Sequence, residues 1–402
     1  MSAPRILGIN GLGRIGKLTL WYHLGHKDFE RFVVNVGRPV GTSLRSLAEY
    51  IAKDSTYGPL HRHLGGFQAQ PDVAVIDEDK GLIRAHGKEI VFLREARNPK
   101  DIPWRDNGVS LVVDCTGKFQ DPHADVDDAK GALRGHLAAG ARAVVQSSPF
   151  KSKQEGVTLP DDSAFLIYGI NHLDYDPGKH KLISAASCTT TALAHMMRPL
   201  LARDLTHDMI TAGMSTVHAA TASQPVIDSV PGSGAKDLRK TRGAMDNIVI
   251  TSTNAAKALE QVMPEIATIG FMADSVRIPT VTASLIILNV TFQTEMLPDG
   301  TVSVDRDAIN TIYRDAAEGE ARGLVKYSEE QNVSTDMIGE DAAVVIEGVE
   351  THTRTGFVDL RLASGVERVP LTHVKIFGWY DNEMGSYTHR LGQLTSHVAR
   401  TL

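Results

Sequence analysis

RILGIN at positions 5–10, followed by GLGRIG at 11–16, decides how the N-terminal half folds. The first six residues are short and apolar, as a buried strand requires. The next six fit G-x-G-x-x-G, with glycine at 11, 13 and 16 and Leu12, Arg14 and Ile15 between them. Glycine at these places permits a tight turn and lets backbone approach a pyrophosphate. Residues 17–26 carry Leu18, Trp21, Tyr22 and Gly25 at helical spacings, and FVVNV at 32–36 is a β-branched run. The segment therefore predicts strand, glycine turn, helix and strand, a βαβ unit. The start of the helix after the turn offers unpaired N–H groups to a negative charge, and Gly11, Gly13, Arg14, Ile15 and Gly16 are the candidate cofactor contacts. Alone the motif is weak, and a plain glycine turn is the competing reading. Between a strand and a helix it points to a dinucleotide.

Further strand-like runs lie at 73–76, 90–93, 111–114 and 143–147, with a helical stretch at 129–139. Alternating strands and helices predict an open, mostly parallel sheet. The pattern changes after Cys188. A helix-like stretch covers 189–203, and long strand-like runs follow at 208–218, 281–293 and 374–380. Residues 357–363 alternate cleanly between apolar and polar side chains. Such strands predict an antiparallel, half-exposed sheet, so the second half reads as α+β. At the C-terminal end, 385–402, Leu391, Leu394 and Val398 fall on one helical face. VPGSGAK at 230–236 reads as a loop within a domain, not as a linker.

Composition narrows the function classes. At 402 residues, with ~150 per domain, two or three domains are expected. Lys and Arg number 42 against 48 Asp and Glu, a net charge of −6, which disfavours a general nucleic-acid binder. Only Cys115 and Cys188 occur, so neither a disulfide scaffold nor a cysteine-based metal cluster is expected, and no metal site is assigned. No apolar run is long enough for a membrane span, and MSAPRILGIN lacks a signal peptide's regions. The expectation is a cytoplasmic enzyme.

The fingerprint usually brings an acid about 20 residues on, which holds the ribose 2′-hydroxyl. Here the strand ends Asn35-Val36-Gly37-Arg38 and no acid is present. Arg38 either meets a 2′-phosphate or is a solvated loop residue, so both NAD and NADP stay open. Cys188 sits in SAASCTTTALAH, just before the helix-like stretch. A helix N-terminus favours the thiolate, and Ser187, Thr189 and Thr190 can donate to an anion. The competing reading is a small buried hydrophobe. Cys115, inside LVVDC, reads as core. His218 ends a strand-like run and is one of 16 histidines, so it gains meaning only if the fold brings it to Cys188.

Six segments together resemble the glyceraldehyde-3-phosphate dehydrogenase family. They are INGLGRIGK, SCTTTALAH, STVHAATASQPVID, NIVITSTNAAKALEQVMPE, RIPTVTASL and WYDNEMGSYTHRL, in that order along the chain. The resemblance implies a nicotinamide-binding Rossmann domain at 1–187 and 383–402. A catalytic domain with a mostly antiparallel sheet would occupy 188–382, in a cytoplasmic homotetramer. It implies a glycolytic type of chemistry, the oxidative phosphorylation of an aldehyde by a nicotinamide-dependent oxidoreductase. Cys188 matches the nucleophile, which forms a hemithioacetal and then a thioester. His218 matches the base that takes the hydroxyl proton as hydride leaves for NAD or NADP. Inorganic phosphate then releases an acyl phosphate. Thr221 and Arg277 match residues that hold the substrate's phosphate, and Ser187, Thr189 and Thr253 those that hold the attacking phosphate. Asn382 matches the residue that fixes the nicotinamide carboxamide. Thr116, Gly117 and Ser147 fall in loops that contact the cofactor.

The chain departs from the family pattern at several places. Ala185 and Thr191 stand where Asn is usual, Asn254 stands where Gly follows Thr253, and Val36 stands near the usual Asp. The stretch 348–372 is longer than usual and reads as an added β-hairpin or two. Arg239, Lys240 and Arg242 form a basic cluster that either attracts anions or faces solvent. An erythrose-4-phosphate dehydrogenase-like enzyme shares the same chemistry, and a dinucleotide-binding sensor or interaction protein of low turnover is the alternative of another class.

Overall fold

The computed structural model describes residues 5–152, 156–221, 224–235 and 237–402. Residues 1–4 of the N-terminal stretch, Ala222 and Ser223 of the His218 motif, and Lys236 of the 230–236 loop lie outside the described residues. The chain divides into two compact units, Met1–Ser187 with Thr388–Leu402, and Cys188–Tyr387.

The first unit is a Rossmann domain. Strand Ile6–Asn10 pairs in parallel with Arg31–Asn35 on one side and Leu111–Asp114 on the other. Lys88–Leu93 and Ala143–Gln146 extend the parallel sheet outward. Leu182–Ser184 and Ser163–Phe165 close one edge in parallel, whereas Leu82–Ala85 and Ala74–Asp77 close the other antiparallel. Val33, Trp104, Val112, Leu133 and Val144 form the core beneath one face, and all are essentially inaccessible. Helix Arg14–Leu24 follows the glycine turn directly, three residues earlier than its apolar spacing predicts. Helix Arg390–Thr401 carries Leu391, Leu394 and Val398 buried on one face, as expected.

The helical reading of 129–139 is largely wrong. Only Gly135–Ala138 is α-helical. Gly131 is left-handed at φ 82, and a Cβ there would meet the Phe119 ring at 2.8 Å. The segment before Gly135 is therefore a chain of turns despite its alanines and leucines.

The second unit is α+β, and its sheet is mostly antiparallel. Strand Met209–Ala219 lies between Ser284–Gln293, antiparallel, and Gly270–Ile278, parallel. Ser284–Gln293 pairs onward with Gly365–Tyr380. Helix Cys188–Leu201 is buried along most of its length. The extra segment is one hairpin, His352–Leu362 with residues 365–375 of strand Gly365–Tyr380. Its alternation does not mark a half-buried strand: Phe357, Val358, Leu360 and Leu362 are all exposed. The basic cluster is locally neutralised, since Arg239 pairs with Asp237 at 2.8 Å and Arg242 with Asp228 at 2.8 Å. Among the described residues no helix is long and apolar enough to cross a membrane.

Candidate active site

The glycine turn has the shape of a dinucleotide cradle. Gly11 is left-handed at φ 92, which side-chain-bearing residues rarely adopt. A Cβ on Gly16 would lie 1.9 Å from the Gly11 carbonyl oxygen, so the helix can seat against the turn only without one. A Cβ on Gly13 would meet nothing within 4 Å and would project into open space. Helix Arg14–Leu24 has no side-chain cap and no acid in its first turn, so its terminal N–H groups are left for an anion. These features fit a pyrophosphate.

The Arg14 guanidinium is held by Asp54. Lys17 reaches the same carboxylate at 2.7 Å. Burial alone would raise Asp54, yet Lys17, Arg14 and two backbone N–H groups hold it far below the usual carboxylate range. Ile15 lies beside Arg14 at the helix start, half-buried.

The loop after Leu111–Asp114 is fixed from beneath by a buried network. Trp104 donates its indole N–H to His136 Nδ1 at 2.9 Å, which leaves the hydrogen on Nε2. Nε2 then donates to Asp114 Oδ2 at 3.0 Å, and Asn10 donates to the same oxygen at 2.7 Å. Asp114 Oδ1 accepts from the Thr116 N–H at 3.0 Å and its hydroxyl at 2.6 Å. Thr116 is thus held in place, and the exposed Gly117 is left-handed at φ 65. Ser147 donates its N–H to the Asp114 carbonyl at 2.9 Å. Arg38 is exposed at the mouth of the cavity that Gly11 and Thr116 also line. Trp104 and His136 carried no signal of this network in sequence, since the contact spans 32 residues.

In the second unit Cys188 and His218 come together. Cys188 opens a helix of 14 residues. The turn before it is tight, with buried Ala186 left-handed at φ 55 and its N–H on the Ser184 hydroxyl. Such strain in a non-glycine residue costs of order 1–3 kcal/mol and persists where the surroundings enforce it. His218 lies near the end of strand Met209–Ala219, and its Nε2 is 3.5 Å from Cys188 Sγ. Parallel pairing puts Arg277 directly opposite His218, with Nη1 2.5 Å from Nδ1. Nδ1 also lies 2.8 Å from the Ala219 carbonyl oxygen, to which Arg277 donates at 3.1 Å.

These contacts define two tautomers. With Arg277 donating to Nδ1, the ring hydrogen sits on Nε2 and faces the sulfur. With Nδ1 donating to Ala219, Nε2 is bare and can take a proton. Burial and the Arg277 charge lower His218 to about 4, so the ring is neutral at neutral pH. Burial pushes the Cys188 thiol up, against the pull of Arg277 and of Thr189. The expectation of a resting thiolate is therefore replaced by a neutral pair, thiol beside imidazole. Burial and Asp114 push Cys115 up to about 12, so it is the less reactive thiol.

Tyr380 organises the floor of this site. Its hydroxyl lies 3.1 Å from Thr189 Oγ1 and 2.8 Å from Thr216 Oγ1, and its ring meets His218 edge-on at 6.1 Å. Thr189 is buried, and both its hydroxyl, which also meets Tyr380, and its N–H face Cys188. Ser284 accepts from the Ala219 N–H at 3.1 Å and donates to Asn382 Oδ1 at 2.9 Å. That bond orients the Asn382 amide and leaves its NH₂ to donate. Thr221 donates its N–H to Gln224 at 3.2 Å. Thr253 accepts from the Ala255 N–H at 3.2 Å, and Asn254 caps helix Ala255–Val262 without a side-chain bond. Ser187 directly precedes Cys188. Tyr380, Thr216 and Ser284 were missed by sequence reasoning, although Tyr380 lies inside the WYDNE motif.

Two family models match this chain. Residues 5–122 match the NAD binding domain of glyceraldehyde 3-phosphate dehydrogenase, and residues 187–382 match its C-terminal domain. Similar proteins include glyceraldehyde-3-phosphate dehydrogenase of Geobacillus stearothermophilus, 34% identical over 98% of both chains. The cytosolic glyceraldehyde-3-phosphate dehydrogenase of Pisum sativum is 32% identical over the full length of both. With two matched domains, full-length relatives and a cysteine–histidine pair at the start of the second domain, the chain belongs to the glyceraldehyde 3-phosphate dehydrogenase family.

Proposed function

We propose that this oxidoreductase is a phosphorylating glyceraldehyde-3-phosphate dehydrogenase that works through a Cys188 thioester. The observation that carries the reading is the 3.5 Å approach of Cys188 Sγ to His218 Nε2. Bare Nε2 takes the thiol proton as sulfur attacks the aldehyde carbon, and the proton passes to the oxygen of the hemithioacetal. His218 then takes the hydroxyl proton, and a bound nicotinamide would supply the hydride acceptor for this oxidation. Phosphate attacks the thioester carbon, the acyl phosphate leaves, and sulfur regains a proton from His218. A base so placed contributes typically ~10²–10⁴ in rate.

The base-competent tautomer needs Nδ1 free to donate to Ala219. An Arg277 drawn onto the substrate's phosphate vacates Nδ1, so substrate binding itself prepares the base. Arg277, with Thr221, is the proposed site for that phosphate. Ser187, Thr189 and Thr253 serve the attacking phosphate, Thr189 through its N–H. Asn382 holds the carboxamide, while Gly11, Gly13, Arg14, Ile15, Gly16, Thr116, Gly117 and Ser147 hold the dinucleotide. A homotetramer, a cytoplasmic setting and a domain boundary at Cys188 belong to the same reading.

The test is initial-rate measurement with glyceraldehyde 3-phosphate, inorganic phosphate and either NAD or NADP, with product identified as an acyl phosphate. Phosphate-dependent turnover is expected. Turnover that ignores phosphate, or goes only with erythrose 4-phosphate, would overturn the reading.

A further inference from the structure

Resting on the dinucleotide reading above, we propose that the nucleotide pocket is built for a 2′-phosphorylated dinucleotide. Arg38, Arg97 and Lys118 are the cations that read the phosphate. They come from three strand ends. Arg38 follows Arg31–Asn35, Arg97 follows Lys88–Leu93, and Lys118 follows Leu111–Asp114. All three line one cavity, together with Gly11, Asn35 and Val36. No carboxylate lines it.

The acid that would hold a ribose diol is absent, and no neighbour replaces it. Val36 stands near its place. Asp114, whose loop borders the cavity, is wholly buried and already accepts from Asn10, His136 and Thr116. None of the three cations has an acidic partner among the described residues. Three like charges in one carboxylate-free cavity repel one another until an anion arrives. The pyrophosphate does not meet this need, because it belongs to the helix end at Gly13. A 2′-phosphate does, since a phosphate monoester adds ≈ −1.5 to −2 charge at neutral pH.

The geometry is held for this purpose. Gly37 is left-handed at φ 63 and turns the chain straight after Val36. A Cβ there would lie 3.0 Å from the Ala96 carbonyl oxygen. Arg97 donates Nε to the Gly37 carbonyl at 3.1 Å, which ties its side chain to the turn that carries Arg38. Its two terminal nitrogens are left to bind a pair of phosphate oxygens.

The test is calorimetric titration of the purified full chain with ADP-ribose and with 2′-phospho-ADP-ribose. Wild type should bind the 2′-phosphorylated probe at least tenfold tighter. Arg38→Ala and Arg97→Ala should each reduce that ratio several-fold, with ADP-ribose affinity held within twofold. Arg97→Lys should restore part of the preference, which a purely structural role at Gly37 would not predict. Val36→Asp should reverse the preference, because the carboxylate accepts from the diol and repels the phosphate. Equal affinities in wild type would overturn the proposal. So would equal losses for both probes in Arg38→Ala, the mark of stacking on adenine. Binding of neither probe would instead remove the dinucleotide reading on which the proposal rests.

Discussion

The glycine turn and the cysteine–histidine pair are coded in opposite ways. At the turn, six consecutive residues supply backbone shape: Gly11 a left-handed φ, Gly13 an open approach, Gly16 a close seat for the helix. At the pair, side chains 30 residues apart meet only because a helix start and a strand end converge. The first site excludes a side chain at Gly11 and Gly16 but not at Gly13, whereas the second depends on two particular atoms. Substitutions at the two should therefore fail differently, one in binding and the other in chemistry.

The sharpest break lies at Cys188, the proposed nucleophile. Cys188→Ala should lower turnover by about 10⁴-fold or more, while nucleotide affinity stays within about twofold, because the group acts only in bond making. Residual turnover of the purified variant near wild type would remove the assigned role. His218→Asn comes next, with a loss of about 10²–10⁴ in the single-turnover rate of nicotinamide reduction. Its proton also has a folding signature. Folded His218 titrates at about 4, and an unfolded histidine at about 6.5. The unfolded chain thus binds more protons between these values, and stability falls as pH drops through that window. His218→Asn should flatten this part of the denaturant midpoint profile from pH 7 to 4. An unchanged profile would show that the ring is not buried neutral.

At the turn, Gly16→Ala forces a methyl group against the Gly11 carbonyl, a clash worth about 1–3 kcal/mol. Nucleotide affinity should fall about 10–100-fold, since 1.4 kcal/mol is tenfold. Iodoacetamide should still modify Cys188 ahead of Cys115. Loss of that selectivity would mean that the turn and the cysteine–histidine pair do not fail independently.

Legibility in sequence follows the same division. The strand, turn and helix at 6–24 are contiguous, so local spacing sufficed to read them. The helix start was read three residues late because Arg14, Ile15 and Gly16 were counted with the glycine turn, whereas Gly16 already seats the helix against the Gly11 carbonyl. Local spacing misled at 129–139, where Gly131 and its contact with Phe119 outweigh helix propensity. It misled again at 357–363, because alternation shows that two faces differ, not that either is covered. The pairing of Cys188 with His218 was legible only through family motifs. Tyr380 and Thr189 lie 191 residues apart, and no periodicity reports such a contact.

The smallest expected effect probes that hidden layer. Ser284 touches neither Cys188 nor His218 in any described hydrogen bond, but it joins the Ala219 N–H to the Asn382 amide. Ser284→Ala leaves both buried groups without that partner, at a cost of about 1–3 kcal/mol in stability. The Asn382 amide can then rotate, and the Ala219 peptide, whose carbonyl faces His218 Nδ1, loses its anchor. Because the catalytic atoms remain, turnover at saturation should change by less than about threefold, while KM for the dinucleotide rises about 3–10-fold. Ser284→Thr keeps the hydroxyl and should recover most of the difference. A fall in kcat with an unchanged KM would place Ser284 with the base instead of the nucleotide, and the boundary between the two modes of coding would then run through the Ala219 peptide.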